Sequence, residues 1–186
     1  MSLSNVGRRA ALLAVPLLLS LLAACSSGVT RHTDAALSTP QFADPAKKAG
    51  GITVTLTPEA QKQASDNLKF NHETLLATVR RALEGNNVLV KEEATPLPKI
   101  DIMVTGVRVR SAFTAVMFGF MAGDDHINGD VVVRSPNGAE LQRFSVSASY
   151  ALGGLAGGQD ETRMSWLYES FAKRVLEELT GAPPSS

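Results

Sequence analysis

Apolar and polar residues alternate over Ile52-Thr53-Val54-Thr55-Leu56, the period-two pattern of a half-buried strand. Thr57-Pro58 follows, a capping hydroxyl and then proline at the first helical position, so a helix starts there. The stretch to Phe70 is polar, which predicts a short helix. A second start lies at Asn71, before Glu73. Leu75, Leu76, Val79, Ala82 and Leu83 then fall on one helical face, and Gly85 is the expected stop. The two stretches form either one kinked helix or two. Val88-Leu89-Val90 reads as a short strand, followed by a turn segment with Pro96 and Pro98.

Lys99 to Arg110 predicts a long strand with Ile100, Ile102 and Val104 on one face. After Gly106 the apolar positions become Val107 and Val109, a change of phase that a bulge near Gly106 would correct. Asp125 to Tyr150 predicts a hairpin. Ile127, Val131 and Val133 share a face, Ser135-Pro136-Asn137-Gly138 makes the turn, and Phe144, Val146, Ala148 and Tyr150 share a face of the return strand. Met164, Leu167, Phe171, Val175 and Leu179 form the apolar stripe of a last helix, which Gly181 and Pro183-Pro184 end. The pattern predicts an α+β domain over residues 51–182: an antiparallel or mixed sheet of about four to five strands with helices packed on one face, and a disordered tail over 183–186.

The start of the chain follows a different pattern. Arg8 and Arg9 precede an apolar run from Ala10 to Ala24, which is shorter than the roughly 20 residues of a membrane span and fits a secretory signal. The run closes on Leu22-Ala23-Ala24-Cys25, which resembles the lipobox of bacterial lipoproteins. That resemblance implies cleavage before Cys25, diacylation of its sulfur, and often acylation of the new amino group. Two or more acyl chains give stable anchoring where one does not. In such proteins a residue other than Asp after the cysteine, here Ser26, goes with the outer membrane. Residues 1–24 are thus expected to be a signal peptide. Residues 25–50, rich in Ser, Thr, Ala, Gly and Pro, are expected to be a lipidated cysteine and flexible tether.

Composition narrows the picture further. The chain has 186 residues with 18 Lys and Arg against 18 Asp and Glu, so loss of Arg8 and Arg9 leaves a formal charge of −2. No block of like charge stands out, which argues against a nucleic-acid partner. Cys25 is the only cysteine, so an exported domain must fold without an internal disulfide.

From Gly106 onward the order of features is a long strand, Met117-Phe118-Gly119-Phe120-Met121-Ala122-Gly123, a hairpin closed by Ser135-Pro136-Asn137-Gly138, a glycine-rich loop and a C-terminal helix. This order resembles an uncharacterised family of bacterial envelope lipoproteins, a domain of unknown function. More loosely, it is similar to lipoprotein domains of the curli-secretion type. Neither resemblance supplies catalytic residues.

The candidate chemistry is sparse. Gly153-Gly154-Leu155-Ala156-Gly157-Gly158 precedes a helix, but Gln159-Asp160-Glu161 stand where a phosphate loop needs Lys and Ser or Thr, and their carboxylates repel phosphate. Asp124-Asp125-His126 is the one tight cluster of metal-ligand types, too small for a transition-metal site, and reads as a solvated turn entering a strand. Ser145, Ser147 and Ser149 share a strand face, lack a nucleophile elbow, and read as solvent-facing. Phe113, Val116, Met117, Phe118, Phe120 and Met121 crowd one inter-strand segment. They either fold over the end of the core or form an exposed interaction loop touching lipid or a partner. The expectation is a non-enzymatic, cofactor-free, metal-free envelope lipoprotein, acting with an envelope protein partner as a protein-interaction or assembly module on the periplasmic side of the outer membrane. The alternative is a small-ligand-binding lipoprotein serving a transporter or sensor.

Overall fold

A computed structural model describes residues 25–31, 33–66, 69–90, 96–110, 123–150 and 160–183, without the side chains of residues 25–27 and 160. The expected signal peptide, the 111–122 segment, the glycine-rich loop and the end of the tail lie outside these residues. In chain order the elements are β1 (Cys25–Arg31), β2 (Gly51–Leu56), α1 (Pro58–Ser65), α2 (His72–Gly85), β3 (Lys99–Arg108), β4 (Asp125–Arg134), β5 (Glu140–Tyr150) and α3 (Asp160–Thr180). The strands form one mixed sheet in the order β1-β5-β4-β3-β2. Only β2 and β3 run parallel. A parallel pair cannot be joined by a tight turn, and here α1 and α2 supply the crossover.

Local sequence sets the helix boundaries. Thr57 accepts a hydrogen bond from the Ala60 amide, with Pro58 at the first position, and Asn71 accepts one from the Thr74 amide. The polar stretch between these two caps separates two helices. Gly85 is the last residue of α2, and the left-handed residue beyond it is Asn87, at φ 56°. The register of β3 against β4 shifts between Val104 and Gly106, so the predicted bulge is present and returns Val107 to the core face. Gly138 turns the hairpin at φ 88°, and Gly181 ends α3 at φ 70°.

Helices α2 and α3 cover one face of the sheet, α2 lying over β2 and α3 over β5, β4 and β1. The core between them joins Ile100, Ile102, Val104, Ile127, Val131, Phe144 and Val146 from the sheet to Leu75, Val79, Leu167, Phe171 and Val175 from the helices. The other sheet face is polar. There Thr53 donates to Asp101 at 2.7 Å, Ser145 to Asp130 at 2.6 Å and Ser147 to Asn128 at 2.7 Å. The serine ladder is therefore part of a wet face, as its alternation predicts.

Two expectations are corrected. Val88-Leu89-Val90 forms an isolated bridge between Leu89 and Ala49 rather than a strand, because only that contact reaches the sheet edge. Residues 26–50 are not a loose tether. Cys25 to Arg31 pair residue for residue with Tyr150 to Phe144 of β5, and Arg31 makes a two-pronged pair with Glu178 of α3 at 2.7 and 2.8 Å. The chain then crosses from one sheet edge to the other. The Arg143 amide donates to the Leu37 carbonyl, the buried Gln142 amide group bridges Gln41 and Glu178, and the Phe42 amide donates to Leu179. Phe42 and Ala49 are buried, which gives this stretch the apolar burial its composition did not promise.

Phe171 is fully buried, and its ring lies so close to Gly129 that a Cβ there would sit 3.0 Å from the ring edge. Phe171→Ala is expected to cost about 3–5 kcal/mol, read as a shift of the denaturant midpoint. A cost under about 1 kcal/mol would place α3 on the wrong face of the sheet.

Candidate functional site

The densest polar construction in the described residues lies at one end of the sheet. Arg110 follows β3, Asp125 opens β4, Tyr150 ends β5, and Arg163 lies in the first turn of α3. Asp125 is fully buried, and Arg110 and Arg163 are 4% and 2% exposed. The Arg110 amide donates to Asp125 Oδ1 at 2.6 Å, and its guanidinium meets the same carboxylate at 3.2 and 3.3 Å. That guanidinium also donates to the carbonyls of Gly123 at 2.7 Å and Tyr150 at 3.1 Å. Arg163 pairs with Asp125 Oδ2 at 3.1 Å and reaches the Arg110 carbonyl. Burying a charge is costly unless it is paired and hydrogen-bonded, and Asp125 and Arg110 meet both conditions. Its chemical effect is to hold four chain ends in fixed positions.

Asp124-Asp125-His126 therefore does not act as one group. Asp125 turns into the interior, while Asp124 and His126 sit 3.5 Å apart on the partly exposed rim. The expectation that all three form a solvated turn fails for Asp125, because Arg110 and Arg163 make the interior its better solvent. Among the described residues, no three His, Cys, Asp or Glu side chains converge as a metal site.

The same end carries the expected lipidation residue. Cys25 is the first residue of β1 and pairs with Tyr150, which pairs with Asp125 on its other side, so the three form one row across the sheet. Tyr150 also packs on Trp166 of α3, with ring centroids 5.2 Å apart. The expected interaction residues Phe113, Val116, Met117, Phe118, Phe120 and Met121 lie outside the described residues. Their segment leaves from Arg110 and returns at Gly123, both held by the Asp125 cluster. Sequence reasoning missed this cluster, although arginine at 110, beside the core positions Val107 and Val109, was a usable signal.

A second concavity, of about 600 Å³, runs between α2 and α3 and is lined by Lys69, Asn71, Thr74, Arg81, Met164 and Tyr168, among others. The Tyr168 hydroxyl accepts a hydrogen bond from the Asn71 amide at 2.7 Å. Burial raises the Tyr168 pKa, and the hydrogen bond from Asn71 partly offsets this, so the phenol stays neutral. Lys69 and Arg81 on one wall, with Glu161 and Glu169 on the other, make the groove polar at its rim and apolar at its floor.

Comparison with known proteins gives a family and a set of distant structures. A family model described as Domain of unknown function (DUF4410) matches residues 32–154. No curated protein matches. Among solved structures, a variant of the PelC dodecamer from Paraburkholderia phytofirmans has a TM-score of 0.46 at 13% identity, covering 85% of this chain and 100% of that one. A second crystal form of the PelC dodecamer from the same organism has a TM-score of 0.41 at 14% identity, covering 83% and 98%. A crystal structure of an uncharacterized protein has a TM-score of 0.40 at 14% identity, covering 77% and 95%.

Asp125→Ala leaves two buried guanidiniums without their shared carboxylate and is expected to destabilise the domain by about 3–5 kcal/mol. Urea titration against the parent reads this directly. A loss under about 1 kcal/mol would mean that the cluster does not hold this end together.

Proposed function

The chain belongs to the family described as Domain of unknown function (DUF4410), and we propose that it is a membrane-anchored envelope lipoprotein acting as a non-enzymatic protein-interaction or assembly module. The observation that carries this reading is Leu22-Ala23-Ala24-Cys25 closing an apolar run behind Arg8 and Arg9. Cleavage there would leave lipid on Cys25, and Ser26 would direct the protein to the outer membrane, facing the periplasm. No helix among the described residues is long and apolar enough to cross a membrane, so in this reading lipid is the anchor.

The interaction surface in this reading is the segment containing Phe113, Val116, Met117, Phe118, Phe120 and Met121. Its six large apolar side chains fall in nine residues without a single charge. Its two stems are fixed by the Arg110–Asp125 pair, so the segment is presented from a defined place. Apolar groups gathered at such a place mark contacts with other molecules.

The groove between α2 and α3 favours a second reading, a lipoprotein that binds a small ligand for a transporter or sensor. Its buried Met164 and Tyr168, flanked by Lys69, Arg81, Glu161 and Glu169, would give a small polar ligand both a floor and charged partners.

Two experiments test the main reading. Cys25→Ala is expected to abolish labelling by a fatty-acid analogue and to leave an uncleaved or mislocated chain; undiminished label would end the lipoprotein reading. Replacing Phe118 and Phe120 with Ser is expected to lower in-cell crosslinking to envelope proteins while leaving thermal unfolding almost unchanged. A loss of several kcal/mol would return these rings to the core.

A further inference from the structure

A lipoprotein with a flexible tether floats its domain away from the bilayer. The geometry of β1 leaves no length for that. Cys25 is already the first residue of the sheet, opposite Tyr150. Downstream, six further paired positions, the Arg31–Glu178 pair and the buried Phe42 hold the strand to the body. A lipid on Cys25 would thus be joined to the folded domain with no intervening chain, and that end of the sheet would lie at the bilayer.

Both ends of the sheet carry partly exposed charged groups, and they differ in that three charged side chains are folded into the interior at the Cys25 end. At the far end Arg134, Asp101, Glu140 and Arg143 form partly exposed ion pairs, their side chains 27–40% accessible. At the Cys25 end Arg110, Asp125 and Arg163 are folded into the interior, while Arg108, Asp124, His126 and Glu161 stay on the rim. Trp166 of α3, half-buried, packs on Tyr150, the strand neighbour of Cys25, with the two ring planes tilted by 56°. Tryptophan suits the headgroup boundary, having an apolar body and a polar tip. The chain also leaves and re-enters this end twice, through residues 111–122 and 151–159, and neither stretch contains a charged residue.

We propose that the end of the sheet carrying Cys25 is a bilayer-facing surface, seated directly on the membrane with the strands rising from it. The proposal rests on the reading of Cys25 as the lipidated residue, and its partner is the lipid bilayer itself. Acyl chains hold the protein at the membrane, and the absence of slack after Cys25 fixes which surface faces it.

Trp166 is the only tryptophan in the chain and lies beside the row of Cys25, so it reports this geometry. The full lipidated protein is placed in phosphatidylethanolamine and phosphatidylglycerol vesicles whose acyl chains carry bromine at shallow or deep positions. Expected is a loss of Trp166 emission, greater for shallow bromines. A Gly-Ser insert of about ten residues after Ser26, which spans roughly 16–19 Å as a coil, is expected to restore the emission while the protein stays vesicle-bound. Fatty-acid labelling is read on the same samples. Labelled protein with unchanged emission overturns this proposal alone, as does equal quenching with and without the insert. Absence of label overturns the anchor reading and this proposal with it.

Discussion

Asp125 is the residue on which one whole end of the molecule depends. A carboxylate with no exposed surface needs partners on every side, and it takes them from Arg110 and Arg163. Those two arginines in turn donate to the carbonyls of Gly123, Tyr150 and Arg110. The ends of β3 and β5 and the starts of β4 and α3 are thereby tied to a single charge. An isolated charge there would be intolerable in an apolar setting, so the cluster forms whole or fails whole. The two uncharged stretches that leave this end therefore leave from fixed stems, and Cys25 lies in the same row.

The rest of the sheet is organised by how its edges are closed. β2 is an edge strand, and its Val54 carbonyl accepts from His72 Nε2 at 2.7 Å, so that nitrogen carries the hydrogen. β3 runs past the end of β2, and there Gln63 of α1 accepts from the Val107 amide at 2.8 Å, standing in for a neighbouring strand. β1 closes the opposite side of β5, and Arg31 locks it to α3. Side chains thus satisfy backbone groups where the ladder stops, the usual means of blunting an edge. The far end is held by surface charge: Glu140 sits between Arg143 and Arg134, and the Arg143 guanidinium draws its carboxyl below the usual range.

Much of this fold was legible in the residues, and the failures have physical reasons. Alternation located β2 to β5, the phase change located the bulge, and Thr57 and Asn71 located two helix starts, because each signal is local. The strand β1 was not legible. Cys25-Ser26-Ser27-Gly28-Val29-Thr30-Arg31 has no alternating apolar face, and it is a strand because β5 offers a long edge that needs a partner. Phe42 was hidden in the same way, as a single apolar anchor in a polar, proline-broken stretch. Asp125 beside Asp124 and His126 reads as a wet turn until two distant arginines are brought to it. Of the candidate site, Cys25 and the apolar 113–121 segment were visible as residues, while their common place at one end of the sheet came only from topology.

The chain is paired to β5 from Cys25 onward, so that whatever holds Cys25 also orients the domain. Amide hydrogen exchange of the exported protein tests this most directly. The amides of residues 26–31 that face β5 are predicted to be protected like those of β5 itself. Exchange of all of them at the rate of an unfolded chain would make this stretch the loose tether its composition suggests, and would contradict the account.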